Sequence, residues 1–328
     1  MTGKPLHATK RLRRILGWRL RDKSRRSDPE LMLAEVADIT AHRARIQATE
    51  GERRKRQELE HQILAEHQES FHIHGECWTC GNESDFLVDL SRARRHGDLW
   101  VPNWRETVKC QSCGLNNRLR ASLHLFHHQC TAAYHDRIYI TEQTTPIYHW
   151  LRERYRSVTG SEYLGDKVPL GKADDRGLRN ESLTRLSFPD DAFDHLLSFD
   201  VLEHVPRWQD GLAECFRCLK PGGWLMLSVP FLAGAEATRV RARLLDNGEV
   251  EHILPPEYHG DPMKDSGCLC FYHFGWDLLD ALSDIGFIFP HAAAYWSRTY
   301  CYLGGEQLVF FAQKPFPRFH WRNAGDRW

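Results

Sequence analysis

The period of apolar positions changes along this chain, and the changes outline its elements. Residues 193–199 are apolar except at Asp194, His195 and Ser198, which predicts a strand covered on both faces. Over 208–220 the apolar residues fall at Leu212, Phe216 and Leu219, one face of a helix that Pro221-Gly222-Gly223 brings to a stop. Residues 224–229 form a second buried run. Two strands joined by a helix are a βαβ unit, so the pattern predicts an α/β, doubly wound domain with its ligand site at the carboxyl ends of the strands.

The same reading extends both ways. Residues 137–141 are β-branched and aromatic and predict a first strand, 146–156 a helix, and 158–164 a second strand. A helix over 276–285 and strands over 287–295 and 307–312 close the domain. Upstream, 28–70 is rich in Ala, Glu, Arg, Gln and Leu, with Met32, Val36, Ile39 and Ile46 at helical or heptad spacing. Asp28-Pro29 reads as its helix start, and the charged stretch around Gly51 as a break between two helices. This arm would pack on the rest of the chain or on a second copy, giving a homo-oligomer.

Three strings, LSFPDDAFD, DVLEHVP and LKPGGWL, occur in this order within 50 residues (182–231). Together they resemble the second half of the class I S-adenosylmethionine (SAM)-dependent methyltransferase domain, of the type with an LEHV motif after the fourth strand. The resemblance runs from about 137 to 315. It implies a Rossmann-like methyltransferase sheet, SAM as cofactor, and methyl transfer to an oxygen or nitrogen of a small-molecule acceptor. It also implies a glycine-rich loop after the first strand, where this chain has Glu142-Gln143-Thr144-Thr145-Pro146. SAM carries no phosphates, so such a loop serves close backbone approach. Small residues such as Thr144 leave room for that, and Glu142 could pair with the SAM amino group. Glu162 follows Glu142 by twenty residues, the spacing at which doubly wound domains place a ribose-binding carboxylate. The resemblance places an adenine contact at Glu181-Ser182, with Ser182 where an aspartate is usual, and Asp200 opens the loop after the fourth strand. His204 on that loop could act as a general base or simply shape the loop, and Glu203 with His204 could bind a divalent ion.

Residues 231–274 are longer than a crossover requires and dense in Arg, His and Tyr, which suits a lid or substrate segment. Arg239, Arg241 and Arg243 could hold an acceptor carboxylate or phosphate, while Tyr258, His259 and His273 could take or orient a proton. The bland alternative is a solvated arginine face beside a small aromatic core.

Cys77-Trp-Thr-Cys80-Gly and Cys110-Gln-Ser-Cys113-Gly are two knuckles separated by 29 residues. The spacing predicts a structural zinc held by Cys77, Cys80, Cys110 and Cys113 in a small zinc ribbon. Cys215 and Cys218 also read CxxC, but inside a helix, where core packing explains them. The predicted organisation is a basic head (1–27), a helical arm (28–70), a zinc-ribbon-like module with a connecting helix (71–128), a methyltransferase domain (129–316) with the 231–274 insertion, and a tail (317–328).

Charge and cysteine usage adjust this picture modestly. Lysine plus arginine equals aspartate plus glutamate at 44 each, yet residues 1–26 hold ten basic residues against Asp22 alone. No apolar run approaches the ~20 residues of a membrane span. Ten cysteines without a secretory signal predict a reducing, cytoplasmic setting. Two rival readings remain open at this point: an RNA methyltransferase whose ribbon and head grip nucleic acid, and a non-catalytic scaffold whose cofactor loop has degenerated.

Overall fold

The computed structural model describes residues 28–317 except 68 and 262. The basic head and nearly all of the tail lie outside the described residues. In chain order the elements begin with strand β1 (Met32–Val36), helices α1 (Ile39–Ala48) and α2 (Glu50–Ala65), and strands β2 (Phe71–Cys77) and β3 (Asn82–Val88). A hairpin follows, β4 (Arg94–His96) and β5 (Leu99–Val101), then the short helix α3 (Trp104–Thr107), β6 (Val108–Cys110) and the long helix α4 (Asn117–Cys130). Next come β7 (Arg137–Ile140), α5 (Pro146–Arg154), β8 (Ser157–Gly160), β9 (Phe193–Phe199), α6 (Trp208–Cys218) and β10 (Leu219–Ser228). The insertion contributes six short strands, β11 (Arg239–Val240), β12 (Ala242–Leu244), β13 (Val250–His252), β14 (Tyr258–Asp261), β15 (Lys264–Leu269) and β16 (Tyr272–His273). Helix α7 (Asp277–Ile285) and strands β17 (Ile288–Ser297) and β18 (Tyr302–Gln313) complete the described chain.

One seven-stranded sheet in the order β1-β17-β18-β10-β9-β7-β8 organises the molecule. Strands β8, β7, β9 and β10 run parallel, and β18 pairs antiparallel with both β10 and β17. Alternation along β9 sends Leu196 to one face and Leu197 to the other, and each is fully buried. On the first face Leu212 of α6 and Leu278 of α7 pack against the sheet; on the second, Phe126 of α4 and Leu151 of α5 do. This is the doubly wound α/β architecture expected from the sequence, with its parallel strand ends at Thr141, Ser161 and Asp200.

The arm differs from its expectation. Residues 32–36 form an edge strand, with Met32 opposite Trp296 and Val36 opposite Ala292, because the outer edge of β17 is open to pairing. Helix α1 therefore starts ten residues later than predicted, capped by Asp38, whose side chain accepts the Ala41 amide at 2.7 Å. Asp28 instead accepts from Tyr300 Oη at 2.8 Å. Gly51 lies inside α2, and the break falls at Thr49. The arm packs on its own chain: Glu60 of α2, buried, accepts from Trp296 Nε1 and the Gly304 amide.

The cysteine module is a three-stranded sheet, β2-β3-β6, with its own apolar cluster of Phe71, Ile73, Phe86, Val88, Trp104 and Val108. Several bonds fix it to the α/β core. Trp150 Nε1 of α5 donates to the Thr79 carbonyl at 3.1 Å, and Asn117 Nδ2 bridges the Trp104 and Leu303 carbonyls. Arg120, fully buried, donates to the Tyr300 and Cys301 carbonyls and lies 4.3 Å over the Phe86 ring. Helix α4 thus carries contacts to both units.

Candidate functional site

Each cysteine pair sits on a knuckle that begins at a strand end, the first between β2 and β3 and the second between β6 and α4. The Gly81 amide donates to the Cys77 carbonyl at 2.8 Å, and the Gly114 amide to the Cys110 carbonyl at 2.9 Å. Both glycines have positive φ, +75° and +71°, a conformation in which a side chain would be strained. The four sulfurs lie within 4.8 Å of one another, with Cys77–Cys113 at 3.9 Å and Cys80–Cys110 at 3.8 Å. A tetrahedron with ~2.3 Å zinc–sulfur bonds has edges of ~3.8 Å, so the thiol spacing suits a zinc ion of that geometry. His72 and His74 stand on β2 with exposed side chains, outside this group.

At the strand ends, the loop after β7 is shaped by Glu162. Its Oε1 accepts from the amides of Gln143 (2.8 Å) and Thr144 (2.9 Å) and from Thr144 Oγ1 (2.9 Å). The carboxylate expected to face a ribose is thus turned onto the loop that replaces the glycine-rich turn. Close approach is achieved from the neighbouring strand: a Cβ on Gly160, the last residue of β8, would lie 2.6 Å from the Glu142 carbonyl oxygen. Glu142 has one buried oxygen, Oε1, with no hydrogen-bond partner. Burial pushes its pKa up to about 7, against the opposing pull of a Thr145 hydrogen bond and the Arg118 charge. Ser182 exchanges a hydrogen bond with Thr184 Oγ1 at 3.0 Å. Its neighbour Glu181, buried, holds Arg179 Nε at 2.7 Å and Ser187 Oγ at 2.6 Å.

Asp200 adopts a left-handed backbone conformation, φ +52°, at the end of β9. Its carboxylate receives both terminal nitrogens of Arg105 at 2.7 and 2.8 Å, Ser228 Oγ at 2.8 Å, and Arg118 Nε at 3.3 Å. Burial would raise its pKa, but the Arg118 and Arg105 guanidiniums hold it well below the ordinary carboxylate range. Glu106 bonds Arg105 and, at 2.9 Å, Arg118 Nε. Arg118 Nη1 is buried without a partner. No motif in the sequence marks Arg105, Glu106 or Arg118, and only the folding of α3 and α4 against the core brings them here.

The insertion closes over the DVLEHVP loop. The Phe271 amide donates to the Glu203 carbonyl at 2.8 Å, and Tyr272 Oη to the Pro206 carbonyl at 2.6 Å. This brings His204 and His259 edge to face, with ring centroids 5.0 Å apart. His204 Nδ1 donates to the Leu269 carbonyl at 2.8 Å. His259 Nε2 and His273 Nε2 both lie 3.1 Å from Glu257 Oε1, and Arg241 reaches Glu257 Oε2 at 3.1 Å. Arg239 and Arg243 are exposed, and Tyr258, expected with the histidines, is 58% exposed.

Against known families, residues 144–227 match a model described as a methyltransferase domain. That segment spans α5, β8, β9, α6 and most of β10. Among curated proteins, the chain is 38% identical over 53 residues to a Mycolicibacterium smegmatis protein described as "Probable S-adenosylmethionine-dependent methyltransferase", covering 16% of this chain and 21% of that protein. It is 31% identical over 112 residues to 27-O-demethylrifamycin SV methyltransferase of Amycolatopsis mediterranei, covering 32% of this chain and 40% of that enzyme. The matches therefore span about a fifth and two fifths of these relatives. Among solved structures, a SAM-dependent methyltransferase from Mesorhizobium loti is 17% identical, with a TM-score of 0.37, covering 60% of this chain and 96% of that one. Among the described residues no helix is long and apolar enough to cross a membrane.

Proposed function

We propose that this chain is a SAM-dependent methyltransferase that methylates an oxygen or nitrogen of a small molecule. The observation that carries the reading is the methyltransferase-domain match over residues 144–227, which covers the loops at the carboxyl ends of β8 and β9. The curated relative from Amycolatopsis mediterranei is named as a methyltransferase of 27-O-demethylrifamycin SV, which supports a small-molecule acceptor here. Two buried atoms suit the amino-acid end of SAM: Glu142 Oε1, an acceptor for its ammonium, and Arg118 Nη1, a donor for its carboxylate. SAM supplies an electrophilic methyl group on a sulfonium. The chain's part is to hold that group in line with the acceptor, exclude water through the insertion, and take the acceptor's proton on His273.

The RNA reading relies on the cysteine module together with the basic head, which lies outside the described residues, to grip phosphates. Arg105, Arg118 and Arg120 of that module and its helix turn inward onto Asp200, Glu106 and backbone carbonyls, while Arg94 and Arg95 of the β4–β5 hairpin stay exposed, so the small-molecule reading rests on the comparison above rather than on these arginines. A SAM titration by calorimetry, run beside a methyl-transfer assay with SAM and a panel of hydroxylated and amino acceptors, tests the proposal. Binding with a 1:1 stoichiometry is the expected result; absence of binding at millimolar SAM would return the chain to the scaffold reading.

A further inference from the structure

Glu203 is the buried group that the methyl-transfer reading leaves unexplained. It is 0% exposed, and neither carboxylate oxygen has a hydrogen-bond partner. A buried carboxylate left in this way costs several kcal/mol unless it is paired, protonated or coordinated. The atoms facing it are imidazole nitrogens: His259 Nδ1 lies 3.4 Å and His204 Nε2 3.7 Å from Glu203 Oε1. Each ring is held from behind. His204 donates through Nδ1 to the Leu269 carbonyl, which in the neutral ring leaves Nε2 with a free lone pair, and His259 Nε2 faces Glu257. Fixing the far nitrogen of a histidine on a carbonyl or carboxylate is the arrangement that orients metal-bound imidazoles.

We propose that Glu203, His204 and His259 bind a divalent transition-metal ion of the zinc type, at a site separate from the four cysteines. One ligand atom from each of the three residues lies within 4.8 Å of the others. Nitrogen and oxygen ligands at ~2.0–2.2 Å from an ion stand ~3–4 Å apart, and the 3.4 and 3.7 Å spacings from Glu203 Oε1 to the two imidazoles fall in that range. Two imidazoles with one carboxylate suit zinc and its first-row neighbours over magnesium or calcium, which prefer oxygen shells. Three protein ligands leave a coordination position open. That position is suited to an oxygen donor such as a hydroxyl or carboxylate of the acceptor. This last point rests on the proposed function, whereas the cation site does not.

The test uses the full-length protein carrying one zinc per chain on its cysteines, titrated with further zinc by calorimetry and by thermal melting, without SAM. The expected result is one additional zinc per chain that raises the melting temperature. In Glu203→Gln and His259→Ala, affinity for that zinc should fall at least ten-fold and the thermal shift should disappear. Glu203→Gln keeps the shape while removing an unpaired buried charge, so its metal-free melting temperature should equal or exceed that of the wild type, which separates lost binding from lost folding. A wild type that takes no further zinc overturns the proposal and leaves a protonated His259 between Glu203 and Glu257 as the arrangement of this pocket. Zinc bound as tightly by Glu203→Gln as by the wild type, but lost in both His259→Ala and Cys270→Ser, also overturns it, by moving the ion to Glu257, His259 and Cys270.

Discussion

Arg105 reaches from the cysteine module to Asp200 at the end of β9 and meets its carboxylate with two parallel bonds, Nη2–Oδ1 at 2.7 Å and Nη1–Oδ2 at 2.8 Å. A planar guanidinium on a carboxylate fixes distance and orientation together. The contact therefore ties the position of the module to the ligand end of the parallel sheet. It also relieves the charge of a carboxylate whose side chain is only 19% exposed.

Breaking that pair is expected to be costly from either side. Removing one partner of a fully buried pair costs ~3–5 kcal/mol; with Arg118 still at 3.3 Å and Arg105 28% exposed, about 1–2 kcal/mol is the expected loss for Arg105→Ala. Asp200→Asn should cost a similar amount. Urea unfolding of both singles and the double variant should give a double loss smaller than the sum, with a coupling of ~1 kcal/mol or more. Strict additivity would mean that the contact contributes nothing to the fold.

The cysteine knuckles carry a prediction about metal and its reach. Cys77→Ser and Cys110→Ser should each lose one zinc per chain relative to the wild type by elemental analysis, since a three-thiolate remnant no longer closes the site. Residues 71–116 should then exchange amide hydrogens rapidly, and SAM affinity should fall at least ten-fold because Arg105 and Arg118 lose their placement. Equal zinc content in variant and wild type would show that these sulfurs do not hold it.

How much of this was legible in the sequence differs by element. The β9–α6–β10 unit was, because buried strands and an amphipathic helix have unmistakable periods, and Cys77, Cys80, Cys110 and Cys113 were brought together as their spacing implied. Strand β1 was not. Met32 and Val36 fit a helical spacing and an alternating one equally, and only the open edge of β17 decides between them. Arg105 and Arg118 were invisible because a salt bridge across 95 residues leaves no local pattern. The spacing of Glu162 from Glu142 suggests a ribose contact, but nothing local reveals that its carboxylate bonds the Gln143 and Thr144 amides. Proximity in sequence groups Tyr258 with the histidines, yet alternation along β14 separates neighbours onto opposite faces, and it lies exposed.

Gly160 offers a direct probe of the loop that replaces the glycine-rich turn. An added methyl group would fall 2.6 Å from the Glu142 carbonyl oxygen and 2.6 Å from Tyr148 Cε2, neither of which has slack. Overpacking of this kind costs ~1–3 kcal/mol. Gly160→Ala is expected to lower stability within that range in chemical denaturation and to weaken SAM binding several-fold through displacement of Glu142. Wild-type stability and affinity together would show that the loop can retreat without consequence.

The remaining prediction concerns pH and rests on Glu142. Its pKa is raised by burial to about 7 from the ordinary value of 4.5. A carboxyl group raised in the folded state contributes its full stability below about pH 4.5, where it is protonated whether the chain is folded or not, and loses that contribution as pH rises through about 7. Binding has the opposite sign. An ammonium beside Glu142 favours the ionised carboxylate, so SAM should bind more tightly as pH rises from 6 to about 7.5, below the range where an α-amino group of pKa ~7.7–8.0 gives up its own proton. Calorimetric SAM titrations across that window should therefore show affinity rising several-fold in the wild type and staying nearly flat in Glu142→Gln, which keeps the side-chain shape without the charge. A Glu142→Gln profile with the wild-type slope would assign the pH dependence to another group and remove Glu142 from the ammonium contact.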